Sequence, residues 1–236
     1  MRPDGIAEIE RLAHAYGIDV APVLPVLAPF LASYLELAPD DGGFEIITGG
    51  KGVAPALADA AAALGLAATA RTAFLAAAAA HPDGMLGLKV DVGGRTAPTL
   101  YHRTMLPLEA GLRILRAYAI DAAVVAALAA RLAPARTLYG LGFTTSAGEL
   151  RVKTYVLDDV AGRVGFRSVR VTAHRIEDDE RSYEAEAPVD ASLAVAQRAA
   201  SVLGVTALGH VARSRRRGPK VYVERIGAIR TDTGAR

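Results

Sequence analysis

Basic residues and tyrosines alternate with aliphatic residues along several segments, with the period of two that is typical of a β-strand. In the hexapeptide 151–156 (RVKTYV), one face of a strand would carry Arg151, Lys153 and Tyr155, and the opposite face would carry valine and threonine. The same alternation recurs at Thr99, Tyr101 and Arg103, at Arg170, Thr172 and His174, and at Lys220 and Tyr222.

These residue types are suited to one kind of ligand if the strands enclose a common interior. Arginine and lysine supply many hydrogen-bond donors and bind phosphate groups, and buried cations require an anion. Tyrosine rings attract cations at their faces. An interior with both features suits an organic diphosphate that ionises to a carbocation. In an open sheet, by contrast, the same polar face would simply be solvated.

Helices are predicted between the strands that would position these side chains. Helical spacing predicts helices over Ile6–Tyr16, Phe30–Leu37, Val53–Leu64 and Ala67–Ala80, around Leu108–Leu115, after an Asp121 N-cap, and over Asp190–Leu203. A strand is predicted over Phe44–Thr48, and hairpins over Leu86–Val92 with Thr96–Met105, Tyr139–Thr145 with Glu149–Leu157, Val164–Ile176 with Arg181–Ala187, and Val205–Ala212 with Lys220–Ala228. The Val164–Ile176 hairpin is predicted to turn at Glu177–Glu180.

The order of elements favours a mixed α/β (α+β) fold with an antiparallel sheet. Hairpins make antiparallel neighbours, and a sheet that grows by hairpins can remove its edges by closing. We therefore predict an antiparallel β-barrel of repeated helix–helix–strand–strand units with the helices outside. Residues 1–229 are expected to form one domain, and 230–236 a polar C-terminal tail.

The composition limits the classes of function. The chain has 236 residues, of which 52% are apolar and 22% charged, so a globular core is expected. The absence of cysteine excludes disulfides, thiolate nucleophiles and cysteine-bound metals. A net charge of +2 does not suit a general polyanion binder. No apolar run reaches the roughly 18 residues of a membrane span and no signal-peptide pattern is present, so a cytoplasmic location is expected.

At these strands the sequence resembles the ABBA-type prenyltransferases, whose barrels are lined by alternating Arg/Lys-x-Tyr motifs. Arg151, Lys153 and Tyr155 carry the resemblance together with Lys220 and Tyr222. The segments Thr99-x-Tyr101-x-Arg103 and Arg181-x-Tyr183 match less closely. The order of elements is most similar to the cyanobactin (peptide) prenyltransferase branch.

The resemblance implies transfer of an isoprenyl group from an allylic diphosphate to a nucleophilic side chain or aromatic acceptor, in a peptide or an amino acid. Diphosphate binding would fall to Arg103, Arg151, Lys153 and Lys220. Shielding of the prenyl cation would fall to Tyr101, Tyr155, Tyr183 and Tyr222. Glu45 would be the catalytic base. Mg²⁺ is expected to assist only by screening the diphosphate, because no residue cluster demands a metal and no DDxxD motif is present.

The catalytic base has alternatives. Glu45 lies in the apolar strand 44–47 (FEII), where an acid is costly unless it is used or paired. It could equally be a surface glutamate on an edge strand. His102 and His174 are further acid–base candidates, although each could instead be a structural histidine.

The first unit departs from the family pattern. Residues 49–52 (GGKG) pass almost directly into a helix, so the second strand of this unit is predicted to be missing. A basic residue that the family supplies there would be absent as well, unless Lys51 replaces it.

Two other functions remain open. The chain could be a non-catalytic barrel that binds a phosphorylated small molecule. It could also be a nucleic-acid-binding protein that uses the arginine-rich loop 213–217, although no aromatic residue is interleaved there to stack bases.

Overall fold

A computed structural model gives the fold, and it describes residues 4–31, 35–40, 43–93, 96–118, 120–133, 135–160, 163–185, 194–204, 210–214 and 220–225. The helices are α1 (Asp4–Tyr16), α2 (Leu24–Leu27), α3 (Ala54–Ala63), α4 (Ala68–Ala80), α5 (Leu108–Ala117), α6 (Ala122–Leu132) and α7 (Ala194–Leu203). The strands are β1 (Leu35–Asp40), β2 (Gly43–Gly50), β3 (Met85–Asp91), β4 (Thr99–Pro107), β5 (Thr137–Ser146), β6 (Glu149–Val160), β7 (Arg163–Val171), β8 (Ile176–Ala185), β9 (His210–Ser214) and β10 (Lys220–Arg225).

The strands form one antiparallel sheet in which each described strand has two hydrogen-bonded neighbours. The order is β1-β10-β9-β8-β7-β6-β5-β4-β3-β2, and β2 returns to β1, so the sheet is a closed barrel. Pairing between the first and last strands closes it, with Leu35 opposite Arg225 and Leu37 opposite Val223. Closure removes both sheet edges.

The helix–helix–strand–strand repeat predicted from the sequence is present in part. Three units follow this order: α1-α2-β1-β2, α3-α4-β3-β4 and α5-α6-β5-β6. The β7–β8 hairpin then follows β6 with no described helix between them, and only α7 is described before β9 and β10.

The aliphatic faces of the strands and the inner faces of the helices form the main core. Leu100, Phe143, Val152 and Val169 are fully buried in this layer. Helix α4 contributes mainly alanines at helical spacing, and its Phe74 meets Phe143 edge-on with the ring centroids 6.3 Å apart. Small side chains allow the helix to lie close to the sheet. This burial directs the opposite, polar face of each strand to the barrel interior.

The predicted helix over Phe30–Leu37 is wrong in the part that the structure describes, because Phe30 and Leu31 lie in the turn after α2 and residues 35–40 form strand β1. This strand pairs with β2 on one side and β10 on the other. Leu35, Glu36, Leu37 and Ala38 are all buried, since one face meets helices and the other meets the interior. The first unit therefore has both of its strands, and the prediction that its second strand is missing is also wrong.

The turn predicted at Glu177–Glu180 lies elsewhere. The β7–β8 turn occupies residues 172–175, and Glu177 to Glu180 belong to strand β8. An acidic run normally indicates a solvated turn, but here the first residue of the run, Glu177, is bound by two arginines inside the barrel. The 230–236 tail and residues 215–217 of the arginine-rich loop lie outside the described residues.

Within the described part of the chain, no helix is both long enough and apolar enough to cross a bilayer.

Burial of His102 predicts a pH-dependent stability. Burial lowers the pKa of His102 below its ordinary value, a hydrogen bond to the His81 carbonyl (Nε2 to O, 2.9 Å) opposes this, and the charge of His81 adds to it. The unfolded chain therefore binds a proton that the folded chain resists, and the free energy of unfolding should fall as pH drops below about 6.5. The decrease in the free energy of unfolding from pH 7.5 to pH 5, measured by urea denaturation, should be smaller for His102→Gln than for the wild type. His14→Gln, at an exposed position, is the control and should lose as much stability at acid pH as the wild type. The same loss in His102→Gln would contradict this assignment.

Candidate active site

The barrel interior contains a cavity lined largely by aromatic and apolar groups. It encloses about 690 Å³ of unoccupied space, counting its solvent-open mouth. Side chains that line it come from seven strands and include Glu36, Ile47, Met85, Tyr101, Arg103, Tyr139, Tyr155 and Tyr222. A concave, largely apolar lining with a few polar groups is typical of sites for small organic ligands.

Tyrosines from neighbouring strands contact one another inside the barrel. Tyr155 and Tyr222 are nearly buried and cluster with Ala38, and Ile47, Tyr101 and Tyr139 pack against this cluster. The rings of Tyr101 and Tyr155 meet edge-on with their centroids 5.8 Å apart. Their faces and edges form an aromatic wall that excludes water and attracts positive charge.

Glycine makes room for this wall. Tyr101 pairs directly with Gly87 on β3 and with Gly142 on β5. A Cβ atom at Gly142 would lie 3.0 Å from the Tyr101 ring. Glycine weakens a strand interior and often marks a close approach. Glycine at these two positions therefore lowers the β-propensity of the strands but leaves room for the Tyr101 ring.

Two basic residues lie directly against the tyrosines. The ammonium nitrogen of Lys153 is 4.8 Å from the centroid of the Tyr155 ring, and Lys153 is 7% exposed. The guanidinium carbon of Arg103 is 5.2 Å from the centroid of the Tyr139 ring. These contacts place two cations beside the aromatic wall.

A second basic group extends from Lys153 along β6 and β7. Lys153 is directly opposite Arg170, and Arg170 is directly opposite Glu177 on β8. Glu177 binds both arginines: Arg151 through Nε and Nη2 to Oε1, and Arg170 through Nη1 to Oε2 at 3.3 Å. Three cations and one carboxylate thus share one patch of the interior.

Glu45 lies on β2 and faces the barrel interior. It is 6% exposed, and its Oε1 accepts a hydrogen bond from Lys89 Nζ at 3.3 Å. It is therefore not a surface glutamate on an edge strand: β2 pairs with β1 and β3, and Glu45 takes part in a largely buried ion pair.

The structure brings together most of the residues predicted for the site. Arg103, Tyr101, Tyr155 and Tyr222 line the cavity, Lys153 contacts Tyr155, and Arg151 joins Lys153 through Glu177 and Arg170. Glu45 is not among the cavity-lining residues, but it is the neighbour of the cavity-lining Ile47 on the inner face of β2. Lys220, Arg181 and Tyr183 belong to β10 and β8, and their side chains lie outside what the structure describes.

The two histidines proposed as alternative bases do not reach the interior. His102 is on the helix-facing side of β4 and binds the His81 carbonyl. His174 is in the exposed β7–β8 turn, where Nδ1 lies 2.9 Å from Asp121 Oδ2. The bond to Asp121 and the charge of that carboxylate raise the pKa of His174. Both imidazoles thus have partners outside the barrel interior.

Five residues lie at the site that the sequence did not assign a role there: Glu36, Lys89, Tyr139, Arg170 and Glu177. The period-two pattern identifies Lys89 and Tyr139 once the strand register is known. Glu177 could not be found in this way, because the acidic run was interpreted as a turn. Lys51, offered as a replacement cation, is exposed in the loop that follows β2.

The ion pair of Lys89 and Glu45 should couple energetically. We expect a coupling energy of about 0.5–3 kcal/mol in a double-mutant cycle of Lys89→Met and Glu45→Gln, measured by chemical denaturation. The pair of Glu8 and Arg11, 4.0 Å apart with the arginine 55% exposed, is a matched control and should couple by less than about 1 kcal/mol. Additive single-variant effects at Lys89 and Glu45 would show that the pair contributes nothing to folding.

Comparison with known proteins supports the fold. No family model matches the sequence, and no curated protein matches it. The structure is similar to the crystal structure of prenyltransferase PriB in a ternary complex with L-tryptophan and dimethylallyl thiolodiphosphate. The superposition has a TM-score of 0.60, covers 96% of each chain and has 12% sequence identity. At this identity the similarity shows the fold alone, and the chain has the fold of an ABBA-type prenyltransferase.

Proposed function

We propose that this chain is a prenyltransferase that moves an allylic group from a prenyl diphosphate to a nucleophilic acceptor. The observation that carries the proposal is the contact of Lys153 with Tyr155, which joins a buried cation to the aromatic wall of the cavity. A diphosphate beside Lys153 would place its prenyl group against Tyr101, Tyr155 and Tyr222. The fold shared with PriB is consistent with this arrangement.

In the proposed reaction the bond between the allylic carbon and the diphosphate oxygen breaks, and both electrons leave with the diphosphate. Lys153, Arg103, Arg151 and Lys220 stabilise the departing charge. Tyrosine faces, including that of Tyr183, shield the allyl cation from water. The acceptor atom forms the new bond to the allylic carbon, and its proton passes to Glu45.

The acceptor class is the finer part of the proposal. We infer a peptide or a free amino acid, as the resemblance to the peptide-modifying branch suggests, and PriB was crystallised with an amino acid. We treat residues 1–229 as the single domain that does this work.

Mg²⁺ is proposed to enter with the diphosphate and to screen its charge. Within the described ranges, no group of three or more histidine, aspartate or glutamate residues is arranged to hold a metal ion. In this proposal the chain's own cations carry most of the binding of the leaving group.

A transfer assay separates this function from its two rivals. Incubation with dimethylallyl diphosphate and a mixed pool of peptides and amino acids, with and without EDTA, should add one isoprene mass to an acceptor. A barrel that only binds phosphorylated molecules would bind the diphosphate without this mass change. A nucleic-acid-binding protein would instead be stabilised by short oligonucleotides in a thermal shift.

Removal of Lys153 should weaken binding of the donor. A hydrogen bond to a charged group is worth about 1.5–3 kcal/mol, so Lys153→Ala should raise the Kd for dimethylallyl diphosphate about 10- to 100-fold. Lys51→Ala removes the same charge from an exposed loop and should leave Kd unchanged. Equal affinity of Lys153→Ala and wild type in calorimetry would place the diphosphate elsewhere.

Neutralising Glu45 should separate catalysis from binding. Glu45→Gln keeps the size of the side chain but cannot accept the acceptor's proton, so single-turnover transfer should fall about 10²- to 10⁴-fold. Donor affinity, titrated in parallel, should be unchanged, and Glu45→Asp should retain part of the rate. Unchanged transfer by a folded Glu45→Gln variant would leave Glu45 with only its ion pair to Lys89.

A further inference from the structure

Glu177 is an acid in the middle of the basic patch, and its two oxygens bind arginines from two different strands. Arg151 on β6 binds Oε1, and Arg170 on β7 binds Oε2 at 3.3 Å. The Glu177 side chain is 11% exposed, and those of the arginines are 25% and 18% exposed. One carboxylate thus connects three adjacent strands on the inner face of the barrel.

The neighbourhood of Glu177 explains why a carboxylate is needed there. Lys153 and Arg170 are directly opposite each other, and like charges in that position repel. Arg151 is two residues from Lys153 on the same strand face. With Glu177 included, the charge of the four residues is reduced from +3 to +2, which still attracts an anion.

Glu177 also limits how the arginines can move. A free arginine side chain has many rotamers, and ordering it when a ligand binds costs about 0.5–1.5 kcal/mol. A guanidinium has five N–H donors, and Glu177 engages Arg151 through only Nε and Nη2. The carboxylate can therefore hold the guanidinium in place while leaving its outer edge for a ligand.

We propose that Glu177 is a positioning residue for the diphosphate: it fixes Arg151 and Arg170 in the orientation that receives the leaving group. This inference rests on the proposed function, because it assumes that the basic patch binds the donor's diphosphate. It also assigns Arg170 to the diphosphate site. An acid in this position would strengthen the binding of an anion.

Removal of Glu177 should change anion binding in opposite directions under two different roles. If Glu177 only neutralised charge, its removal would make the patch more positive and would tighten anion binding. If it positions the arginines, its removal frees two side chains and weakens binding. At about 0.5–1.5 kcal/mol for each side chain, the expected rise in Kd is about 5- to 100-fold.

The experiment is calorimetric titration of the full chain with inorganic pyrophosphate and with dimethylallyl diphosphate. Glu177→Gln should bind both more weakly than the wild type, despite its added positive charge. Glu177→Asp keeps the negative charge on a shorter side chain, and its Kd should lie between those of the wild type and Glu177→Gln. Glu109→Gln, at an exposed position in the first turn of α5, makes the same change in net charge and should have no effect.

A second variant tests the inference if Glu177→Gln fails to unfold cooperatively. Arg151→Lys preserves every charge but cannot make the two-nitrogen contact with Glu177. Because Arg151 itself contacts the diphosphate in the proposed site, Arg151→Lys is compared in the wild-type and Glu177→Asp backgrounds. The positioning role predicts that the two changes together raise the Kd for pyrophosphate by less than the product of their separate effects, whereas neutralisation alone predicts independent effects.

The outcomes separate this inference from the proposed function. Equal or tighter pyrophosphate binding by folded Glu177→Gln overturns the positioning role and leaves prenyl transfer intact. A wild-type protein that binds neither pyrophosphate nor dimethylallyl diphosphate contradicts the donor site itself.

Discussion

Pairing of β1 with β10 is the constraint on which the interior depends. While the sheet is open, the polar face of each strand is solvated, and its arginines, lysines and tyrosines lie far apart. Three residue pairs join Leu35–Leu37 to Val223–Arg225 and convert that face into an enclosed surface. Closure therefore changes the electrostatics of every inward side chain, because charges that were screened by water then interact at lower dielectric.

Enclosure makes unpaired charge expensive, and the interior has two arrangements that reduce the cost. On β2 and β3, Lys89 binds Glu45 in a pair of net charge zero. On β6 to β8, three cations share Glu177, and the group keeps a net positive charge. The two walls thus differ in the kind of substrate group that they favour. In the proposed reaction, an anionic leaving group would be attracted to the second wall, and a proton-donating acceptor would suit the first.

Much of this arrangement could be predicted from period-two alternation alone. The alternation in residues 151–156 is enough to place Lys153 and Tyr155 on the inner face, because burial of valines on the outer face leaves no other orientation. It failed at β1, where Glu36 and Ala38 are as buried as Leu35 and Leu37. A strand buried on both faces loses its alternation and resembles a short helix. Its identity depends on partners that are distant in sequence.

Glu177 shows a different limit of local sequence patterns. An acidic run beside a polar turn is usually solvated, and only the β7–β8 register sets Glu177 opposite Arg170. A shift of β8 by one residue would move Glu177 to the outer face and would place Ile176 or Asp178 opposite the cations instead. The same register places His174 in the exposed turn, where Asp121 holds it. Local composition thus supplies the charges, but the long-range pairing of strands decides which of them become part of a site.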